Sequence, residues 1–392
     1  MKSRAFRGFF LLLTNILSFM KIGFDAKRAF TNSAGLGNFS RNTILSLSHF
    51  YPENEYFLFT PENKKNLFSS PEKSKVIMPE SLWWKTMKQL WRRYRISKMF
   101  DQEKIDIFHG LSHELPVGIE KADVKSIVTI HDLIFLRYPE YYKGTDRRIY
   151  LRKFKHACTM ADRIHAISQQ TKDDIVSFFH IPERKIEVIY QSCNPLFYKK
   201  ISGDERLEVL EKYKLPDHFL LSVGTVEKRK NLLKVLKSMV GSHIEMPLVV
   251  AGRKTNYMLE IDDFIQKNKG KLKVYFLSGT SDYELGVLYQ SAEMLVYPSV
   301  FEGFGLPVIE AQASGCPVIT SRSSSMPEAG GDGAVYVNPM SEKEIGEAIH
   351  KILGDKSFRD GQIAKGNKNA ERFTPELYTE QLHKLYTRVY NV

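Results

Sequence analysis

The sequence predicts an α/β protein with two doubly wound parallel-sheet domains. From residue 21 onward, short apolar runs alternate with amphipathic helical patterns, which is typical of parallel α/β architecture. The alternation is interrupted by segment 193–203, whose Pro and Gly residues indicate a connection between two halves. The 392 residues are enough for two such domains. Because doubly wound sheets bind ligands beyond the carboxyl ends of their strands, we expect a functional cleft between the halves.

The predicted elements follow this alternation along the chain. Strand candidates in the first half are 22–26, 56–60, 75–79, 105–110, 126–132, 163–168 and 186–190. Strand candidates in the second half are 219–225, 247–252, 273–279, 294–298, 317–321 and 334–338. The main helical patterns are 39–50, 82–100, 146–160, 171–179, 231–240, 282–292, 342–353, 355–373 and 376–390. The predicted division is an N-terminal extension (1–20), a first domain (21–195), a linker (196–215), a second domain (216–375) and a final helix (376–392).

Composition and charge narrow the classes of partner. The chain is 43% hydrophobic and 26% charged, which is typical of a folded globular protein and not of a disordered one. Its net charge of +12 predicts an anionic partner, which could be nucleic acid, acidic lipid or a phosphorylated ligand. Cys158, Cys193 and Cys316 lie far apart in the sequence, so neither a disulfide framework nor a zinc site is indicated, and a reducing compartment fits.

The N-terminal extension has three open interpretations. Basic residues precede the apolar run FFLLLTNILSFM, which is too short to span a membrane but resembles the core of a signal peptide. Met20 begins a natural first strand, so residues 1–19 could lie upstream of the working start. The remaining interpretation is a weak membrane-contacting extension.

The stretch 297–321 carries the strongest local signal. It passes from the end of an apolar strand into a loop with Gly303 and Gly305, and then into a short helix at Pro307, a residue suited to the first helical position. We expect the helix to stop at Gly315, before a second buried strand.

Two carboxylates flank this loop. Glu302 lies in the loop and Glu310 in the expected first turn of the helix, so the loop can hold the carboxylates about 10 Å apart. Between them, the free N–H groups of residues 303–306 form a helix N-terminus that favours anions. This arrangement suits an elongated ligand with hydroxyl groups at both ends and an anionic middle, as in a nucleotide sugar.

The whole strand–loop–helix, including EGFGLP and EAQASGCPVITS, resembles the Glu-x7-Glu signature of family 4 glycosyltransferases, retaining enzymes of the GT-B fold. The resemblance implies that Glu302 and the neighbouring amides hold the donor sugar and that Glu310 binds the ribose diol. The amides are those of Gly303, Phe304, Gly305 and Leu306. The alternative is an ordinary βαβ corner with solvated glutamates.

Two further loops match the same family. Gly35 and Gly37 in SAGLGNFS open a helix after the first strand, as a phosphate-approach loop would, and the resemblance places them near the donor phosphates. The alternative is a tight strand-to-helix turn; the loop lacks the third glycine of a dinucleotide fingerprint. Arg229 and Lys230 in SVGTVEKRKNL begin the next helix, where positive charge is unfavourable unless an anion binds. The RKN triplet matches the pyrophosphate-binding element of the family, and these cations would stabilise the leaving diphosphate.

The segment TIHDLIFLRYPEYY resembles the bacterial mannosyltransferase-like branch of the family. By this resemblance, His131 would contact the sugar and support the transition state, and Asp132 would help position it. His109 and Gly110 end another strand and could lie on the acceptor side or be purely structural. No Asp-x-Asp pair occurs in the chain, so we expect no metal and a diphosphate held by cations.

The segment SLWWKTMKQLWRRYRISKMF (81–100) combines an apolar stripe with many basic residues. Such a helix suits an anionic membrane surface. The alternative is an apolar stripe packed on the domain with solvated charges.

These patterns together predict a retaining GT-B glycosyltransferase without a cofactor. Its first domain would face the acceptor, its second would bind the nucleotide sugar, and its final helix would cross back to the first domain. The expected donor is GDP-mannose or a UDP-sugar, and the acceptor a hydroxyl of a glycan or lipid-diphosphate-linked glycan in surface polysaccharide or lipopolysaccharide assembly. We expect a cytoplasmic protein, with contact to the inner face of the membrane as an option and no nucleic-acid partner. The rivals are a GT-B nucleotide-sugar epimerase and a non-catalytic basic protein that binds membrane or nucleic acid.

Overall fold

A computed structural model describes residues 19–64 and 67–392, and it contains two fully parallel sheets. The strands of the first sheet are β1 (Lys21–Asp25), β2 (Glu55–Phe59), β3 (Ser74–Ile77), β4 (Ile107–Gly110), β5 (Lys125–Ile130), β6 (Arg163–Ala166) and β7 (Ile186–Val188). The strands of the second sheet are β8 (Leu220–Val223), β9 (Leu248–Ala251), β10 (Val274–Leu277), β11 (Met294–Tyr297), β12 (Val318–Ser321) and β13 (Ala334–Val337). Each predicted strand is present, and the doubly wound prediction is confirmed.

Helices cover both faces of each sheet. In the first half they are α1 (Lys27–Thr31), α2 (Gly35–Phe50), α3 (Leu82–Thr86), α4 (Lys88–Leu90), α5 (Phe100–Glu103), α6 (Ile134–Arg137), α7 (Gly144–Met160) and α8 (Gln169–Phe179). In the second half they are α9 (Gly203–Tyr213), α10 (Leu232–Gly241), α11 (Met258–Lys267), α12 (Asp282–Ser291), α13 (Leu306–Ala313), α14 (Met326–Gly330), α15 (Glu342–Gly354), α16 (Lys356–Ala370) and α17 (Pro375–Tyr390).

The strand order creates one crevice in each half. The orders are β3-β2-β1-β4-β5-β6-β7 and β10-β9-β8-β11-β12-β13, so the chain reverses direction across the sheet beside β1 and beside β8. Helices on opposite faces diverge at such a reversal and leave space beyond the carboxyl ends of the strands. The fold therefore offers ligand space at the ends of β1 and β4 and at the ends of β8 and β11.

The last helix, α17, returns to the first half of the chain and packs against α2. The Tyr378 hydroxyl lies 2.8 Å from Thr43 Oγ1, and the Tyr386 hydroxyl lies 2.7 Å from His109 Nδ1. His109 is completely buried, and its Nε2 lies 2.8 Å from Thr129 Oγ1. Both nitrogens of His109 therefore have protein partners, which makes it a structural residue and corrects the acceptor-side interpretation.

The predicted continuous helix over 82–100 is wrong. The segment instead contains α3, α4, a π-helical turn at Trp91–Arg95 and a 3-10 turn at Ile96–Met99. Trp91 is buried, whereas Trp83 is 64% exposed, so the expected apolar stripe is divided between the core and the surface. Across residues 19–64 and 67–392, the structure contains no helix with the length and apolar character required to cross a membrane.

Two segments lie at the predicted boundaries of the first domain. The predicted linker 196–215 includes α9, whose Lys212 and Tyr213 both donate to Glu284 of α12, so part of it packs on the second sheet's domain. Most of the predicted N-terminal extension lies outside the described residues. Within it, Met20 is fully buried and its N–H donates to Asn54 Oδ1 at 2.9 Å.

Candidate active site

The loop between β11 and α13 lies directly against the first half of the chain. A Cβ atom on Gly303 would come within 2.3 Å of the His131 carbonyl oxygen, so only glycine allows this approach. Ser168 Oγ donates to the Gly303 carbonyl oxygen at 2.7 Å. The crevice beyond β11 is therefore closed on one side by the end of β5 and the start of α8.

Glu302 is the centre of an ion cluster in this crevice. Its Oε2 lies 2.5 Å from Arg229 Nη1 and its Oε1 lies 3.0 Å from Lys230 Nζ. The hydroxyls of Tyr297 and Ser299 donate to Oε1 at 2.8 Å and 2.7 Å. Although burial disfavours its charge, the two cations hold the pKa of Glu302 well below its usual range. Glu302 is therefore ionised and buried between fixed positive charges.

Asn231 explains why the two cations reach this position. It adopts a left-handed backbone conformation with φ of 66°, which asparagine tolerates better than most residues. Its side-chain amide donates to the carbonyl oxygens of Pro298 and Pro339 at 3.1 Å and 2.6 Å. These bonds fix the turn before α10 against the loop after β11, so Arg229 and Lys230 point at Glu302.

Main-chain donors lie beside the ion cluster. The N–H groups of Gly303, Phe304 and Gly305 form no hydrogen bond within the part of the chain that the structure describes. They precede the eight-residue helix α13, whose N-terminal end carries partial positive charge. The loop conformation is held from behind by Ser325 Oγ, which donates to the carbonyl oxygens of Glu302 and Phe304. These N–H groups are therefore free of protein acceptors in the described residues, and their role in binding an anion stays a prediction.

Glu310 is the fifth residue of α13 and lies just past the predicted first turn, because the helix begins at Leu306, one residue earlier than expected. The Tyr289 hydroxyl donates to Glu310 Oε2 at 3.0 Å. Burial raises the pKa of Glu310 to about 7, and the charge of Asp282 adds to that increase. Glu302 and Glu310 therefore have opposite electrostatic environments on the same helix–loop unit.

His131 lies at the end of β5 with both ring nitrogens close to protein groups. Nε2 donates to the Leu111 carbonyl oxygen at 3.0 Å, and Gln191 Nε2 lies 3.3 Å from Nδ1. Burial lowers the pKa of His131 to about 4, so the ring is neutral. The contact to Gln191 is the longer of the two.

Asp132 and the glycine loop at the start of α2 complete the predicted set. Asp132 Oδ1 accepts the Ile134 N–H at 3.1 Å, and the charges of Arg229 and Glu302 influence its pKa, which burial raises. A Cβ atom on Gly37 would lie 1.8 Å from a carbonyl oxygen in the preceding turn, so Gly37 is required by the turn itself. Gly35 is exposed at the first position of α2 with open space around it.

Several residues of the site escaped the sequence prediction. Tyr297 and Ser299 bind Glu302, Tyr289 binds Glu310, and Asn231 shapes the turn. Only Asn231 had a sequence signal, as the last residue of the RKN triplet. Within residues 19–64 and 67–392, no group of three or more His, Cys, Asp or Glu side chains is arranged to hold a metal ion.

Glu328 connects the two halves of the site. Its carboxylate accepts the main-chain N–H groups of Gln169 and Gln170, at 2.6 Å and 3.0 Å, at the N-terminal end of α8. A carboxylate at a helix N-terminus interacts favourably with both the free N–H groups and the helix dipole. Glu328 thereby links the two halves of the chain, and we call the arrangement with these contacts closed.

We expect Glu328→Ala to open the two halves without unfolding either of them. The lost charge-assisted hydrogen bonds are worth about 1.5–3 kcal/mol, roughly a ten- to hundredfold change in the closed population. Small-angle X-ray scattering should show a larger radius of gyration than the wild type. Glu344→Ala, which removes an exposed ion pair with Arg322 inside the second half, is the matched control and should leave the radius unchanged. Equal radii for Glu328→Ala and the wild type would contradict this role.

Comparisons with known proteins match the chain to two families and to several named relatives. The family described as Glycosyltransferase Family 4 matches residues 42–195, and the family Glycosyl transferases group 1 matches residues 206–387. The chain is 30% identical over 286 residues to O-antigen chain mannosyltransferase B of Escherichia coli, across 71% of this chain and 74% of that protein. It is also 30% identical over 289 residues to O-antigen chain mannosyltransferase RfbU of Salmonella typhimurium, across 73% and 74%. The crystal structure of Anabaena HepE in complex with UDP and glucose has the same fold, with a TM-score of 0.72 and 16% identity over 94% of this chain and 99% of that chain.

Proposed function

Because the chain belongs to glycosyltransferase family 4 and has the GT-B fold, we propose that it transfers mannose from a nucleotide diphosphate donor to a hydroxyl group of a growing glycan. As a glycosyltransferase it is an enzyme, so the alternative of a non-catalytic basic protein is wrong. The epimerase alternative finds no support among the relatives described above. The observation that carries the proposal is the Glu302, Arg229 and Lys230 cluster beside the free amides of residues 303–305.

The donor fits this site by charge and hydrogen-bonding type. Arg229 and Lys230 would bind the diphosphate, assisted by the dipole of α13 and by the open start of α2 at Gly35. Glu302 would bind sugar hydroxyls through the carboxylate that now holds the two cations. Glu310, with Tyr289 behind it, would accept the hydroxyls of the ribose.

Transfer would proceed with retention, by attack of the acceptor on the same face from which the diphosphate leaves. Negative charge grows on the diphosphate as the glycosidic bond breaks, and two preorganised cations stabilise that charge without further reorganisation. The leaving phosphate takes the proton of the acceptor hydroxyl, so no protein nucleophile is needed. Neutral His131, with a pKa far below 7, would contact the sugar as a hydrogen-bonding group, and Asp132 would help to position it. No metal ion is required in this proposal.

The relatives suggest the sugar and the setting. Two of them are named O-antigen chain mannosyltransferases, which favours mannose and surface polysaccharide assembly at the cytoplasmic face of the membrane. The complex of HepE with UDP and glucose supports a nucleotide sugar as the donor class. GDP-mannose is therefore the first donor to test, with UDP-sugars second.

A panel of GDP-, UDP- and ADP-sugars in a thermal-shift assay tests the donor. A ligand that binds only the folded protein raises the melting temperature in proportion to its affinity and concentration. We expect GDP-mannose to stabilise the wild type selectively and to lose most of this effect in Glu310→Ala. Stabilisation by another donor would change the assigned sugar, and stabilisation by none of them would overturn the proposed function.

Contact with an anionic membrane surface is the part of the proposal that concerns the segment 81–100. Leu82 and Trp83 are 79% and 64% exposed, and Lys85, Arg95 and Lys98 are exposed on the same segment. Exposed tryptophan together with basic residues favours the interface of an anionic bilayer. This placement would present the first half of the chain to a lipid-linked acceptor.

A further inference from the structure

A cavity of about 810 Å³ opens in the first half of the chain, outside the donor site described above. It lies beyond the carboxyl ends of β1 and β4, where the strand order reverses. Asp25 ends β1 and lines the cavity, together with Glu114, which follows β4, and with residues of α7 and of the segment 89–93. The position is that of a ligand crevice in a doubly wound sheet.

Both carboxylates that line the cavity are already neutralised. Asp25 Oδ2 accepts Arg92 Nε at 2.7 Å, and Glu114 Oε2 lies 2.8 Å from Arg92 Nη1. Lys153 Nζ lies 3.3 Å from the other oxygen of Glu114. The π-helical turn at Trp91–Arg95 makes this possible, because it directs Arg92 into the protein while Arg93 remains exposed. The acids are therefore not available to bind further cations.

Four other cations line the same cavity: Lys27, Arg28, Arg93 and Arg152. None of them lies within 4.0 Å of a carboxylate oxygen in residues 19–64 and 67–392. Burial and the charges of Arg92 and Arg28 lower the pKa of Lys27, as expected where positive charges crowd together. Like charges in a concave wall repel one another, and an anion that enters the cavity removes this cost.

The rim of the cavity is apolar. Ile149 and Leu90 are 50% and 39% exposed, and Tyr150 is 37% exposed. All three line the cavity together with the buried Leu115. A ligand that matches these walls carries phosphate groups next to an apolar chain.

The cavity lies on the side of the site from which an acceptor would approach. Glu114 lines the cavity, and the ring centroid of its neighbour His113 lies 5.0 Å from that of His131, so the basic wall is close to the end of β5. The His131 carbonyl oxygen in turn packs on Gly303 in the donor loop. His113 and His131 thus connect the wall of the cavity to the donor loop.

We propose that this cavity binds the diphosphate through which the acceptor glycan is joined to a long apolar chain, with Arg28, Arg93 and Arg152 as the anion-binding side chains. The inference rests on the proposed function and adds to it a location for the acceptor. Arginine suits this task because its planar fork can donate two hydrogen bonds to one phosphate. The apolar chain would leave along Leu90, Ile149 and Tyr150.

Binding of farnesyl diphosphate to the full chain tests the proposal. The assay contains saturating GDP and UDP, which occupy Arg229 and Lys230 whichever base the donor carries. We expect the double variant Arg93→Gln/Arg152→Gln to bind farnesyl diphosphate at least tenfold more weakly than the wild type. The matched control is Arg148→Gln/Lys155→Gln, which removes the same charge from exposed positions of α7 outside the cavity. We expect less than a twofold change in the control.

Three further ligands distinguish the possible causes of farnesyl diphosphate binding. Farnesol and mannose 1-phosphate each lack one half of the recognised structure and should bind at least tenfold more weakly than farnesyl diphosphate. Vesicles of phosphatidylglycerol should bind both double variants equally, since membrane attraction depends on total charge. The proposal is overturned if both double variants lose the same affinity for farnesyl diphosphate, if neither loses any, or if farnesol binds as well as the diphosphate.

The thermal-shift panel of donors distinguishes failure of the acceptor site from failure of the proposed function. A chain that binds a nucleotide sugar but shows no cavity-dependent binding of farnesyl diphosphate retains the proposed function and loses the acceptor site. A chain that binds farnesyl diphosphate through the cavity but binds no nucleotide sugar retains the cavity site and loses the proposed function. Circular dichroism of both double variants verifies that each is folded.

Discussion

Glu302→Gln is expected to lower both the rate of sugar transfer and the stability of the fold. Glutamine keeps the volume of the side chain and can still accept hydrogen bonds from Tyr297 and Ser299, but it removes the negative charge between Arg229 and Lys230. Removing one partner of a buried ion pair costs about 3–5 kcal/mol, because the other charge remains buried without compensation. Loss of one preorganised polar contact to the transition state reduces turnover by about a hundred- to a thousandfold.

Urea unfolding followed by circular dichroism measures the loss of stability. Tryptophan fluorescence reports on the first half of the chain, because Trp83, Trp84 and Trp91 all lie there, whereas Glu302 lies in the second. Glu227→Gln is the matched control, because Glu227 also binds Arg229, at 2.6 Å, but its side chain is 39% exposed. An exposed pair contributes about 0–1 kcal/mol, so the control should remain close to the wild type in both measurements.

Binding of a diphosphate should restore the stability that Glu302→Gln loses. In the variant, Arg229 and Lys230 have lost their shared counter-ion, and the phosphates of a nucleoside diphosphate can replace it. We therefore expect the nucleoside diphosphate of the preferred donor to raise the melting temperature of Glu302→Gln more than that of the wild type. A nucleoside diphosphate carries no sugar, so the missing sugar contact does not affect this comparison. An equal or smaller increase would place the diphosphate somewhere other than on these two cations.

The general position of the site could be predicted because it depends on strand ends. Arg229 follows β8 and Glu302 follows β11, and the apolar runs that mark these strands are clear in the sequence. Parallel strands bring their carboxyl ends to one edge of the sheet, so the sequence predicts that these two residues, 73 positions apart in the chain, lie at the same edge. Proximity of the two elements follows from this topology.

The pairing of side chains could not be predicted in the same way. The ion pair between Arg229 and Glu302, and the hydrogen bond between Tyr289 and Glu310, depend on how α10, α12 and α13 dock on the sheet. His109 shows the same difficulty: its partner Tyr386 is 277 residues away, on a helix whose packing no local pattern records.

The incorrect prediction of a continuous helix over 82–100 also has a non-local cause. The apolar residues of this segment do have helical spacing. However, Arg92 is buried because it binds Asp25 and Glu114, which lie 67 and 22 residues away in the sequence. Burial of a charged side chain at that position is possible only with those partners. The π-helical turn places Arg92 within this ion network. A prediction based on helical periodicity does not include such an interaction.

Glu310→Gln is expected to stabilise the ligand-free protein at pH 8 while weakening its affinity for the donor. Burial raises the pKa of Glu310 from 4.5 to about 7, so the folded state favours the protonated carboxyl more than the unfolded state does. The favourable contribution is complete below pH 4.5 and is lost as the pH rises through 7. Above pH 7 the ionised Glu310 opposes folding, by about 1–2 kcal/mol once the partial exposure of the side chain is allowed for. Glutamine does not ionise, so the free energy of unfolding of the variant should exceed that of the wild type at pH 8 and equal it near pH 5.

Donor binding should have the opposite pH dependence. The ribose hydroxyls donate hydrogen bonds most strongly to an ionised carboxylate, so the wild type should bind the donor more tightly at pH 8 than at pH 6, with a midpoint near 7. Calorimetric titrations at several pH values should show this slope in the wild type and its absence in Glu310→Gln, together with an affinity about ten- to a hundredfold lower at pH 8.

The neighbours of Glu310 provide the controls for this assignment. Asp282 raises its pKa by charge, so Asp282→Asn should move the midpoint of donor binding to lower pH. The Tyr289 hydroxyl and the charge of Lys230 both favour the ionised form, so Tyr289→Phe should move the midpoint to higher pH. Shifts in these opposite directions would identify Glu310 as the titrating group, since global destabilisation would move both variants the same way. A midpoint that neither substitution moves would assign the pH dependence to another residue and remove Glu310 from the ribose site.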